Sequence, residues 1–136
     1  MKTGIGIKND NRQAVSNSLA KLLADEYILY TKTRNAHWNV EGADFYDKHK
    51  FFEGQYEQLD GFIDDIAERI RSLGHYPSAT LKAFLELTRL SEEKKSGNSS
   101  ADFIKELLHD HESIIISLRE DIDKFTGDYK DAGSSD

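Results

Sequence analysis

The chain has 136 residues, a formal net charge of −7, 38 % hydrophobic and 32 % charged residues, one proline and no cysteine. That composition suits one α-rich domain with a real core. It excludes a disulfide framework, iron–sulfur clusters, thiolate zinc sites and thiol nucleophiles. The acidic balance disfavours a duplex-binding surface, which must neutralise phosphates with clustered Lys and Arg, and it tends to draw cations instead.

The first residues, Met1 to Gln13, lack the apolar stretch of a signal peptide. No run approaches the roughly 20 apolar residues of a membrane span. The expectation is a cytoplasmic protein without membrane contact. No internal repeat is visible.

Three long segments carry helical periodicity. The first runs from about Asn11 to Trp38, with Val15, Leu19, Leu22, Leu23, Tyr27 and Tyr30 on one buried face. Gly42 sits in the connection that follows. The second runs from about Asp44 to Leu73. Its Phe52, Tyr56, Leu59, Ile63, Ile66, Ile70 and Leu73 alternate steps of four and three, the seam of a bundle helix. Gly74 and Pro77 mark its stop. A short helix is expected over Ser78 to Leu87, capped by Ser78. A polar connector, Ser91 to Ser100, leads to a third long helix from about Ala101 to Phe125, with Ser99 or Ser100 as its cap. Ile104, Leu108, Ile115, Leu118, Ile122 and Phe125 form its expected apolar face, and His111 shares that stripe. Gly127 ends it, and the tail to Asp136 reads as a loop. Three long amphipathic helices leave an apolar flank that a fourth helix, or a partner chain, would cover.

The second helix has another stripe. His49, Glu53, Glu57, Asp60, Asp64 and Glu68 follow at steps of 4, 4, 3, 4 and 4, away from the apolar seam. One reading is a solvated acidic face. The other is a hard-cation site, because carboxylate oxygen with imidazole nitrogen suits iron or manganese. His37 and Trp38 precede the turn into this helix, and neither is specific alone. His49 and Asp64 are 15 positions apart, roughly 22 Å along one helix. If His37 and His49 share a metal with Asp64 and Glu68, the two pairs must come from different chains. Two copies of this helix packed antiparallel about a two-fold axis near residues 56 to 58 would bring them level.

The combined pattern, His37-Trp38-Asn39-Val40-Glu41-Gly42, then Phe45, His49, Phe52 and Tyr56, then Asp64-Asp65-Ile66-Ala67-Glu68-Arg69-Ile70, resembles that of Dps-like proteins, the miniferritins of the ferritin-like superfamily. The likeness continues through Gly74-His75-Tyr76-Pro77 and covers nearly the whole chain. It implies an all-α four-helix bundle with a short extra helix between the second and third long helices. Residues 1–136 would form a single such domain, cut short before its fourth long helix. It implies an iron-storing ferroxidase that oxidises Fe²⁺ with hydrogen peroxide or oxygen and protects against oxidative stress. It further implies a homo-oligomer, a two-fold dimer building a dodecameric shell. The implied iron ligands are His37 and His49 from one subunit and Asp64 and Glu68 from its mate, with Glu53 as an additional acidic ligand. Trp38 would lie beside the site and intercept stray oxidising equivalents. Asp128, Asp131 and Asp136 are candidates for an iron-entry pore.

Two competing readings stand beside it. A di-iron site inside one bundle uses two Glu-x-x-His motifs. Glu106-Leu107-Leu108-His109 supplies one, but Arg34, Tyr46 and Ser72 stand three before His37, His49 and His75. A DNA-binding or purely structural helical protein is the other. The N-terminal segment offers Lys2, Lys8 and Arg12 only, so DNA contact is expected to be weak.

Overall fold

The computed structural model describes residues 4–94 and 97–136. Lys2 at the N-terminus, and Lys95 and Ser96 in the polar connector, lie outside the described residues. The described chain is built from α1 (Asn9–Asn39), α2 (Phe45–Ser72), a short α3 (Leu81–Leu87), α4 (Ser100–Asp123), a π-helical turn (Lys124–Asp128) and a terminal turn of helix, α5 (Ala132–Ser135). No described helix is long and apolar enough to cross a membrane.

The helices form where the apolar period places them, and local chemistry sets their ends. α2 stops at a left-handed glycine, Gly74 at φ +91°. His75 N–H donates to Ile70 O (3.2 Å) and Gly74 N–H to Arg71 O (2.9 Å), a pair of bonds that satisfies carbonyls a helix end otherwise leaves open. Arg12 completes this end. It is 4 % exposed, and its Nη1 donates to Leu73 O at 3.1 Å, while Nη2 bonds Asn9 Oδ1. Arg12 is therefore a buried clamp between α1 and α2 and not part of a free basic tail. α3 begins later than expected. Its cap is Thr80, whose hydroxyl accepts from Ala83 N–H at 3.1 Å, rather than Ser78. Ser99 caps α4 by accepting from Asp102 N–H at 3.1 Å.

α1 and α2 pack as an antiparallel pair, and α3 and α4 lie against α1. Leu19, Leu22, Leu23, Leu29, Phe52, Leu59, Ile70, Phe84, Phe103, Leu107 and Ile114 share one core. Asp25 is 1 % exposed and holds the crossover after α3. It accepts from Thr88 Oγ1 (2.7 Å), Arg89 N–H (2.6 Å) and Arg89 Nε (2.8 Å). A buried carboxylate needs that many donors to offset its lost hydration.

Leu118 and Phe125 of the face expected for the third long helix do join the core, but over most of its length α4 turns a different face inward. Phe103, Leu107, Asp110 and Ile114 are buried, while Ile104, Leu108, Ile115 and Ile122 remain exposed. The buried stripe hid because it contains a carboxylate, Asp110, whose charge is met by Lys32 Nζ at 2.6 Å. Glu106 joins the same lysine at 3.3 Å, so the half motif Glu106–His109 is engaged by a cation on α1. His111 sits half-buried beside the outer stripe, and burial lowers its pKa.

The tail is more ordered than a loop. Tyr129 N–H donates to Lys124 O at 2.9 Å, closing a π turn. Asp131, one of the pore candidates, is 1 % exposed. It accepts from Arg69 Nη2 (3.0 Å) and Ser134 N–H (2.9 Å), so its charge is committed inside the chain. Asp128 and Asp136 are exposed.

Candidate metal centre

His37 lies in the last turn of α1 and His49 in the second turn of α2. The turn between them needs Gly42 at φ +122°, a conformation side chains resist. It is tied to the start of α4. Glu41 N–H donates to Asn98 O at 2.9 Å, and Ser100 Oγ donates to Asp44 Oδ2 at 2.6 Å. The short turn brings two imidazoles face to face, with ring centroids 3.8 Å apart and planes 18° from parallel.

Their hydrogen bonds are reciprocal. His37 Nδ1 bonds His49 O at 2.7 Å, and His49 Nδ1 bonds His37 O at 2.7 Å. A carbonyl oxygen only accepts, so each Nδ1 must carry the proton. In the neutral ring the lone pair is then on Nε2. Each Nε2 is thereby left able to donate its lone pair, and each ring is oriented by a backbone carbonyl, the arrangement common among metal-binding histidines. Neither ring uses a carboxylate partner at Nδ1.

Phe45 stacks on His49 (5.2 Å) and the edge of Tyr56 meets His37 (5.3 Å). Trp38 is 62 % exposed, and Phe45 and Tyr46 are also open to solvent. Glu53, one turn beyond His49, pairs with Lys50 at 3.5 Å.

Asp64 and Glu68 lie further along α2, both exposed. Their side chains are adjacent: Asp64, by like charge and by a hydrogen bond, pushes the pKa of Glu68 up. The two carboxylates stand at i,i+4 on one exposed face of α2. The histidine pair and the carboxylate pair do not meet within one chain. Among the described residues no group of three or more His, Asp or Glu side chains is placed to hold one metal ion.

The sequence pattern overlooked Arg34. Its guanidinium lies over Tyr56 (4.3 Å), Trp38 (5.3 Å) and Tyr30 (5.5 Å), and its Nε donates to Tyr30 OH at 2.9 Å. The signal was present: Tyr30, Arg34 and Trp38 follow at i,i+4 on α1.

Residues 16–136 match the model of the ferritin-like domain. The chain is 43 % identical over 102 residues to the DNA protection during starvation protein of Helicobacter pylori, covering 75 % of this chain and 71 % of that one. The chain belongs to the Dps-like branch of the ferritin-like family. The Dps protein of Bacillus brevis superposes with a TM-score of 0.87 at 32 % identity, covering 99 % of this chain and 85 % of that one. The Dps protein of Vibrio cholerae, described as a member of a superfamily of ferritin-like diiron-carboxylate proteins, superposes with a TM-score of 0.91 at 28 % identity over 99 % and 84 % of the two chains. The three long helices and the short helix between α2 and α4 are thus the miniferritin arrangement.

Proposed function

We propose that this Dps-like chain oxidises Fe²⁺ at sites built between two copies of itself and stores the product as ferric mineral in a homo-oligomeric shell. The observation that carries this is the reciprocal Nδ1–carbonyl pairing of His37 and His49, which leaves both Nε2 atoms as metal donors. Iron is the substrate. His37 and His49 of one subunit hold it, with Asp64 and Glu68 of the two-fold mate, and Glu53 adds an acidic oxygen. The rise of α2 keeps the two pairs roughly 22 Å apart in one chain. An antiparallel mate removes that separation and gives two identical sites per dimer. The exposed aromatic edge at Trp38, Phe45 and Tyr46 supplies apolar surface for that mate to cover.

Carboxylate oxygens are hard donors and stabilise Fe³⁺ over Fe²⁺, which favours oxidation. Two ferrous ions give one electron each to one hydrogen peroxide, which takes up two protons and leaves as water.

Mixing Fe²⁺ with hydrogen peroxide under argon is expected to give ferric absorbance in the parent protein. His37→Ala or Asp64→Ala is expected to lower its initial rate at least tenfold. Parent-like rates in both variants defeat this reading.

A further inference from the structure

Core packing does not hold the start of α2. Phe52 is the first buried side chain of that helix, and none of residues 41–51 is buried. His49 stands in this uncovered stretch. Yet its ring must lie where each histidine reaches the other's carbonyl, both at 2.7 Å. Because the two bonds are reciprocal, a shift of the start of α2 against α1 loosens both. The turn between the helices, residues 40–44, contains Gly42 and is too permissive to prevent that shift alone.

The restraint comes from α4. Glu41 N–H donates to Asn98 O at 2.9 Å, and the Ser100 hydroxyl donates to Asp44 Oδ2 at 2.6 Å. The second bond joins side chains 56 positions apart. Asp44 immediately precedes α2, where an aspartate ordinarily accepts from N–H groups in the first turn of its own helix. It makes no such side-chain bond. Its carboxylate is turned to the first turn of α4 instead, where a helix favours negative charge. Its backbone carbonyl accepts from Lys48 N–H at 3.1 Å. The residue that α4 grips is therefore the one on which α2 begins, and His49 follows within the next turn and a half.

We propose that Asp44 and Ser100 form a clasp that positions His49, and through it His37, for metal binding. The proposal rests on the iron-oxidation reading for the identity of the metal. Both members are positioning residues that act through His49. A pair of rings set in advance binds at a smaller ordering cost. Loss of the clasp therefore weakens binding and leaves the chemistry of bound iron as it was, which raises KM for Fe²⁺ at a parent-like kcat.

The test titrates Co²⁺ into the metal-free protein and follows quenching of Trp38, the one tryptophan of the chain. Ser100→Ala and Asp44→Ala are expected to bind about three- to tenfold more weakly than the parent, the range of one hydrogen bond. Asp44→Asn and Ser100→Thr keep an acceptor and a hydroxyl and are expected to bind within twofold of it. Asp47→Ala, which removes an exposed charge from the same end of α2, is expected to do the same. The double variant Asp44→Ala with Ser100→Ala is expected to match the weaker single one, because one bond is lost once. Hydrogen exchange of the metal-free protein is expected to quicken at residues 41–49 in Ser100→Ala. Parent-like Co²⁺ affinity in both alanine variants overturns the clasp, as do multiplied losses in the double variant. Unchanged exchange in Ser100→Ala overturns it whatever the metal does. A parent that does not bind Co²⁺ overturns the clasp and the metal centre together. If the Co²⁺ order holds while no protein, the parent included, oxidises Fe²⁺, the iron-oxidation reading fails and the clasp stands.

Discussion

His37 and His49 are tied down by the fold of one chain, whereas Asp64 and Glu68 are not. Each imidazole is fixed by a 2.7 Å bond to the other residue's carbonyl, and the two rings stack at 3.8 Å. The carboxylates stand exposed on α2, and the like charge of Asp64 pushes the pKa of Glu68 up. Preorganisation and strain are thus divided between the two ends of one helix. The histidine end lowers the ordering cost of binding. The carboxylate end supplies the unmet negative charge that a cation relieves. In the proposed dimer each complete site takes one end from each chain.

The largest expected effect follows from that division. In a mixture of His37→Ala and Asp64→Ala, each mixed dimer has one site with both defects and one with neither. Random pairing makes about half the dimers mixed, so about a quarter of the sites are intact. Ferroxidase activity is expected to recover to about a quarter of the parent's after the two inactive variants are unfolded and refolded together. No recovery, with mixed dimers confirmed by native mass spectrometry, breaks the two-chain site.

A second effect compares the site with the interior of α1. Glu26 is 8 % exposed, and among the described residues its Oε2 has no hydrogen-bond partner. Burial first, and the neighbouring Asp25 second, raise its pKa to about 7. The folded state therefore holds a proton that the unfolded chain releases near 4.5. That stabilisation is present below pH 4.5 and is lost as pH rises through about 7. Glu26→Gln removes the pH dependence and stabilises the metal-free protein at pH 8 by about 2–3 kcal/mol, read from urea midpoints. A variant with the parent's slope would move the cause elsewhere.

Much of this was legible in the sequence, for reasons that also explain the misses. The unbroken seam from Phe52 to Leu73 placed α2 within one residue at each end, because an apolar period survives when every core position is apolar. α4 misled because Asp110 occupies a core position, and its partner Lys32 is 78 positions away in the chain. Arg12 misled in the same way: a cation near a terminus reads as a tail, yet its bond to Leu73 O spans 61 positions. The resemblance to Dps-like proteins, and not spacing alone, singled out His37 and His49 as candidate ligands. It did not carry the reciprocal backbone bonds, since carbonyl direction depends on how the Gly42 turn is closed and not on side-chain identity.

The smallest expected effect is on stability, and it differs in sign between the two pairs. His37→Ala deletes a buried ring, removes its stacking on His49 and leaves His49 O without its donor. A cost of about 1–3 kcal/mol is expected for that. His49 keeps its own bond, because its acceptor is the backbone of residue 37 and survives the substitution. Asp64→Asn removes the charge that pushes Glu68 up. It is expected to leave metal-free stability unchanged or slightly raised, as for an exposed like-charge pair at i,i+4. The pH test gives the sign independently. A raised Glu68 pKa means the folded chain binds the extra proton, so stability declines as pH rises past the ordinary glutamate value of 4.5, and Asp64→Asn flattens that part of the curve. Equal losses from both substitutions would mean that the carboxylates also hold the fold together, and that the two ends of α2 are not divided as argued.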